Sequence, residues 1–168
     1  MRFAPPAAAL SLALALTASM AWGQQRDPAP YASTLLSQGE AALQNGEVQS
    51  AIDAFEAALA VDPGYTPTLL RLAEAARAEE LQGKAIGYYR EALVRDPRNI
   101  AAIAGEGEAL AEKGAIAKAR ETLAKVQSLC GGDCPEARDL TAAIAAGPSA
   151  PVQTAEVSLS DEQKAMVN

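Results

Sequence analysis

Laid against itself at an offset of 34 residues, the chain falls into register three times. The pentads GEAAL (39–43), AEAAR (73–77) and GEALA (107–111) align. So do AIDAFEAALAVDP (51–63), AIGYYREALVRDP (85–97) and, more weakly, ARETLAKVQSLCG (119–131). A period of this length means one supersecondary unit copied in series, each copy burying its apolar face against its neighbours. Each copy holds two helices. Between residues 66 and 81, Leu69, Leu72, Ala73 and Ala76 recur at three- and four-residue spacing, which makes one apolar helical stripe. Thr66 and Asn99 read as N-caps, Pro67 suits a first turn, and Gly46 separates two helices. Asp62-Pro63-Gly64 and Asp96-Pro97 end the helices before them, because proline supplies no N–H and disfavours helix in the preceding residue. The pattern predicts helices over 32–45, 48–61, 66–80, 82–95, 100–113 and 116–130. A bundle of unrelated hairpins would show no register at this offset.

Over about residues 32–133 this pattern resembles the tetratricopeptide repeat family. The large apolar anchors are Leu35, Leu69 and Ile103, and the small residues where paired helices cross are Gly39, Ala73 and Gly107. Second-helix pairs are Ala51/Phe55, Ala85/Tyr89 and Ala119/Leu123, and Pro63 and Pro97 close their units. The chain departs from the family pattern at Gln38 and Glu106 (usually Leu), at Ala42 and Ala76 (usually Tyr) and at Gly131 (usually Pro). The resemblance implies an all-α fold, a tetratricopeptide-type α-solenoid of three helix-turn-helix repeats at 32–65, 66–99 and 100–133. A stack of this kind leaves its last apolar face open and needs a lid. The stretch 135–146 supplies one: Ala137, Leu140 and Ile144 share a side, with Glu136, Arg138 and Asp139 on the other. Pro135 fits its first turn and Gly147 its stop. The repeat domain with its C-terminal capping helix thus spans 32–146.

In such a stack the resemblance implies that the first helices line a concave groove, which receives a peptide or partner helix. Glu40, Glu74 and Glu108 share one position in the three units and would form a ladder along it. One reading is an acidic track for a basic partner. The plainer reading is exposed helix formers, with Arg71 and Arg77 flanking Glu74 to offset its charge. Leu36, Leu43 and Leu70 offer apolar contacts toward the groove, or burial against a neighbouring unit. Some relatives clamp a partner's terminal carboxylate with Lys and Asn. The matching positions here are Leu36, Glu40, Leu70, Glu74, Ala104 and Glu108, none basic or an amide, so that activity is not carried over.

The ends speak to compartment. Met1 and Arg2 precede a small-apolar run over 7–21 and then Ala21-Trp22-Gly23, the pattern of a secretory signal peptide with cleavage after Gly23. The run is shorter than the ~20 residues a spanning helix needs. A signal at 1–23, a flexible segment at 24–31 and a disordered tail at 147–168 are expected, with a periplasmic or secreted mature protein and no membrane attachment. A net charge of −7 argues against nucleic acid, whose binding rests on Lys and Arg neutralising phosphates. The first unit carries five acids and no base, the second five acids and six bases, an asymmetry that would allow self-association. There is no histidine, phosphate loop or nucleophile–base pair, so neither a cofactor nor a catalytic site is expected.

The two cysteines, Cys130 and Cys134, stand in Cys130-Gly131-Gly132-Asp133-Cys134. In an exported protein an even pair reads as a disulfide, here one pinning the lid to the last repeat. A redox pair would have two intervening residues and a thiolate-favouring setting, whereas Asp133 and Glu136 flank Cys134. A metal would need two further ligands. The sequence therefore points to a non-enzymatic protein–protein scaffold of the bacterial cell envelope. The alternatives are a dithiol–disulfide oxidoreductase using Cys130 and Cys134, or a self-assembling structural element.

Overall fold

A computed structural model describes residues 26–148. The expected signal peptide and all but the first two residues of the expected tail lie outside the described residues. Seven helices follow one another: α1 Pro30–Gln44, α2 Val48–Val61, α3 Pro67–Ala78, α4 Gln82–Arg95, α5 Ile100–Glu112, α6 Ile116–Cys130 and α7 Pro135–Ala146. They form an all-α repeat solenoid. Each odd helix packs on the even helix after it, α2 hands on to α3 and α4 to α5, and α7 closes the stack against α5 and α6. No described helix is long and apolar enough to cross a membrane.

Turn chemistry sets the repeat. Each first helix ends the same way: Glu47, Leu81 and Ala115 donate backbone N–H bonds of 2.8–2.9 Å to the carbonyls of Ala42, Ala76 and Leu110. This wrap-back needs a left-handed residue just before the donor. Gly46 (φ +78°) and Gly114 (φ +88°) supply it without a Cβ penalty. In the second repeat the position belongs to Glu80, at φ +57°, the one non-glycine residue with positive φ among those described.

Proline opens α1, α3 and α7, where its missing N–H costs nothing. Asn99 caps α5 as expected, its side chain accepting from Ala102 N at 2.9 Å. Thr66 does not cap α3. Its own backbone is already helical (φ −54°, ψ −35°), not the extended conformation a capping side chain needs, it makes no cap hydrogen bond, and α3 runs Pro67–Ala78 rather than 66–80.

Three apolar clusters run along the stack. The first joins Leu36, Phe55, Ile52 and Leu72, the second centres on Leu69, Tyr89 and Leu110, and the third holds Ile103, Val126, Ala137 and Leu140. Crossing points are tight enough that only a hydrogen fits at Gly39 against the Phe55 ring and at Gly107 against Leu140 and Thr122. Leu69 and Ile103 are buried as anchors, but Leu35 is half exposed, because α1 has no preceding repeat to cover it. Among the large α6 side chains it is Val126 that is fully buried, whereas Leu123 stays half exposed.

The segment before α1 departs from expectation. Residues 26–29 are tied down rather than loose, and Pro30 and Tyr31 already belong to α1. Asp62, at the C-terminal end of α2, accepts from the Arg26 guanidinium at 2.6 Å and from Ala29 N at 2.9 Å. Its side chain is 8% exposed, so the carboxylate is shielded, and the Arg26 hydrogen bond holds it below the usual carboxylate range, with Ala29 N adding to the effect. The side chain of the residue that ends α2 thus recruits the chain preceding the repeats.

Candidate partner-binding cleft

The glutamate positions of the three first helices are interleaved with arginines. Arg71 lies between Glu40 (3.2 Å) and Glu74 (2.8 Å), with all three side chains nearly half exposed. Arg77 does not flank Glu74 as its spacing suggested. It crosses from α3 to α5, where its Nη1 donates to Glu108 at 2.5 Å and its Nε to Glu112 at 3.1 Å. Glu108 and Glu112 are four residues apart on one face of α5, so together they present two carboxylates to one guanidinium, a better site than a single exposed partner on its own helix.

These three side chains are only 17–21% exposed, which makes the pairs stronger than surface ones. Burial works against the Arg77 charge, but the Glu112 hydrogen bonds and the Glu108 charge outweigh it and hold the guanidinium firmly protonated. For Glu108 burial prevails. Its carboxyl is raised above the ordinary range, with Arg77 pulling back and nearby Asp139 and Glu112 adding to the rise.

Beyond this cluster, α3, α5 and α7 enclose a cleft of ≈ 210 Å³. Leu70, Ala101 and Ala104 give it an apolar lining, and Tyr89 of α4 forms the floor. The Tyr89 ring end lies over Gly105, where any side chain would collide with it. Burial pushes the phenol up to about 12, with Arg77 opposing the shift. Glu136 and Asp139 of α7 complete the rim beside Glu74 and Glu108. A shallower hollow of ≈ 330 Å³ lies between α1 and α3 at Glu40, Leu43, Gln44 and Arg71.

The expected groove residues therefore divide. Glu74, Glu108, Leu70 and Arg77 meet in the cleft, and Glu40 and Arg71 lie in the hollow. Leu36 faces neither. With Ala32 and Gly39 it forms the α1 stripe buried in the first cluster, 9% exposed. The sequence reading set Glu136 and Asp139 on the outer side of the lid, whereas they line the cleft. They border the Ala137/Leu140 stripe, and α7 presents that edge toward α3. Their three-residue spacing beside a buried stripe was the available signal.

At the start of α7 the Cα atoms of Cys130 and Cys134 are 5.9 Å apart and their sulfurs are paired. Glu136 is close by, the nearest approach to a group of metal-ligand types among the described residues. With the sulfurs joined to each other, that group offers an ion one carboxylate.

A family model described as tetratricopeptide repeat matches residues 83–144. That segment, running from α4 to α7, is tetratricopeptide repeat sequence. Among solved structures, the chain is similar to the Sgt2 TPR domain from Aspergillus fumigatus, with 26% identity and a TM-score of 0.63 over 78% of this chain and 94% of that one. It is similar to the second TPR domain of human RPAP3 in complex with the HSP70 peptide SGPTIEEVD, at 19% identity and TM-score 0.62, covering 71% and 98%. It is also similar to the Yersinia enterocolitica type III secretion chaperone SycD in complex with a peptide of the translocator YopD, at 24% identity and TM-score 0.59, covering 68% and 89%. No curated protein sequence matches the chain.

Proposed function

We propose that the chain is a non-enzymatic scaffold of the bacterial cell envelope that binds a segment of a partner protein in the cleft between α3, α5 and α7. The observation that carries this reading is the cleft itself, an open apolar-lined slot with a charged rim on the first-helix side of the stack. Similar domains occur in complexes with peptides, those of HSP70 and YopD among them. The peptide SGPTIEEVD is acidic toward its end, and the glutamates of this cleft would repel such a segment, so its partner differs in chemistry.

Export rests on the signal-like first 23 residues, and oxidation of Cys130 and Cys134 follows from export. The single tryptophan, Trp22, lies within that leader, so the mature protein purified from the periplasm should emit tyrosine fluorescence alone. Tryptophan emission would sink cleavage after Gly23. The binding role is tested with a photo-crosslinking residue at Ala101 in the cleft and, as control, at Val94, which is 82% exposed on α4. A discrete protein adduct in envelope extracts is expected from Ala101 and not from Val94. Equal labelling, or none at Ala101, would refute the reading.

A further inference from the structure

We propose that the segment received by this cleft is an extended peptide bearing lysine or arginine, its cation held by Glu136 and Asp139 and one of its backbone carbonyls by the Tyr89 hydroxyl. The inference rests on the binding role just described and adds the partner's chemistry.

Charge gives the first argument. Glu74, Glu108, Glu136 and Asp139 converge on the cleft, and Arg77 is the one base among its lining residues. Arg77 is already committed to Glu108 and Glu112, and Arg71 divides itself between Glu40 and Glu74. Glu136 and Asp139 have no ion-pair partner among the described residues. Arg138 lies between them in sequence but points away, since adjacent residues on a helix do not share a face. The negative excess already acts inside the site: Asp139 and Glu112 help to raise the Glu108 carboxyl. A cation entering from outside relieves that repulsion.

The second argument is independent of the acids. Tyr89 is 2% exposed, and its hydroxyl end faces the cleft floor above Gly105. Its neighbour Arg77 can only donate, so it can serve the phenol oxygen but not the phenol proton. No carbonyl or carboxylate among the described residues accepts that proton. The hydroxyl lines the open cleft rather than being sealed in the core, so a ligand carbonyl can take its proton in place of water. An extended peptide supplies both needs, a carbonyl for Tyr89 and, on the alternating side, a long cationic side chain for the rim. The lining of Leu70, Ala101 and Ala104 matches the aliphatic stem of lysine or arginine.

The test uses the mature protein and a fluorescent alternating alanine–lysine peptide, with its alanine–glutamate counterpart, followed by anisotropy and by amide shifts in NMR spectra. The lysine peptide should bind, weaken with added salt and shift amides of α5 and α7. The Glu136→Gln/Asp139→Asn variant should raise its Kd about tenfold, the combined effect of two partly exposed pairs. Glu47→Gln/Asp53→Asn, which removes the same charge at the far end of the stack, should leave it unchanged. Tyr89→Phe should weaken binding while circular dichroism shows the fold retained. Equal weakening in the distant variant, equal affinity for the glutamate peptide, or no shift in α5 and α7 would each overturn the proposal. If crosslinking from Ala101 instead traps a neutral or acidic segment, the scaffold role stands and this inference falls.

Discussion

A methyl group on Gly107 would stand 2.7 Å from Cδ2 of Leu140, so the third repeat and its lid meet at a point where only a hydrogen fits. Leu140 is fully buried and α7 cannot back away without uncovering Ile103 and Val126. Gly107→Ala should therefore destabilise the domain by about 1–3 kcal/mol, the cost of overpacking a filled core. Leu140→Ala alone should cost about 2–5 kcal/mol by leaving a cavity. The double variant should lose less than the sum of the two, because the new methyl partly fills the space vacated. Urea unfolding of all four proteins checks this, and strict additivity would show that the two positions do not share one packing site.

Glu80 occupies the left-handed turn position that glycine holds in the other two repeats. A left-handed residue with a Cβ costs roughly 1–2 kcal/mol, part of which glycine returns as unfolded-chain entropy. Glu80→Gly should stabilise the protein by about 0.5–1 kcal/mol and raise its Tm. Gly46→Ala and Gly114→Ala should do the reverse. A lower Tm for Glu80→Gly would mean that the glutamate side chain contributes more than its backbone conformation costs.

Much of this architecture is legible in the sequence because it is local and repeated. The 34-residue register places six helices and a lid to within about two residues at most ends. What escapes is set by contacts between units. Spacing along α3 links Arg77 with Glu74, but only the packing of α3 on α5 shows that Glu108 and Glu112 outbid it. Thr66 has the right side chain for a cap, yet its backbone is already helical. Leu36 and Leu70 occupy equivalent positions in neighbouring repeats, yet Leu36 is buried in the first apolar cluster while Leu70 lines the cleft. Glu136 and Asp139 became cleft residues only once the rotation of α7 was fixed by Ala137 and Leu140.

Asp62 makes stability depend on pH at the acid end. Its carboxyl is depressed by the Arg26 hydrogen bond, and next by Ala29 N, so the folded state binds the proton less readily than the unfolded chain. The contribution is complete above the ordinary carboxylate range and is lost as pH falls through the folded value. Asp62→Asn and Arg26→Ala should each flatten the acid limb of a Tm-against-pH profile. Amide exchange should show residues 27–33 loosening before α3 to α6. An unchanged acid limb in Asp62→Asn would exclude this tie as its source.

Arg77 should show the opposite dependence when removed. Without its guanidinium, Glu108 keeps the burial that raises its carboxyl and loses the charge that restrains it. Arg77→Met should cost about 2 kcal/mol near neutral pH, since a partly buried carboxylate is left unpaired. A raised carboxyl favours folding below its ordinary range and opposes it as pH rises through the folded value. The deficit should therefore shrink on acidification, and Arg77→Met/Glu108→Gln should recover stability at neutral pH. A deficit independent of pH would mean that Arg77 acts through the packing of its stem.

The Cys130–Cys134 pair closes a loop of about five residues, for which the chain-entropy relation gives roughly 2 kcal/mol. That stabilisation acts where α6 hands over to α7, so reduction should not weaken the stack evenly. Cys130 and Cys134 border the third cluster, whose buried members Ala137 and Leu140 hold the lid in place. Loosening the start of α7 also frees Glu136, on the cleft rim. Treatment with a phosphine reductant should speed amide exchange in α7 and the end of α6 while leaving α1 to α4 unchanged, and Cys130→Ser/Cys134→Ser should reproduce that pattern and not respond further. Identical exchange in α7 before and after reduction would show that apolar packing alone retains the lid.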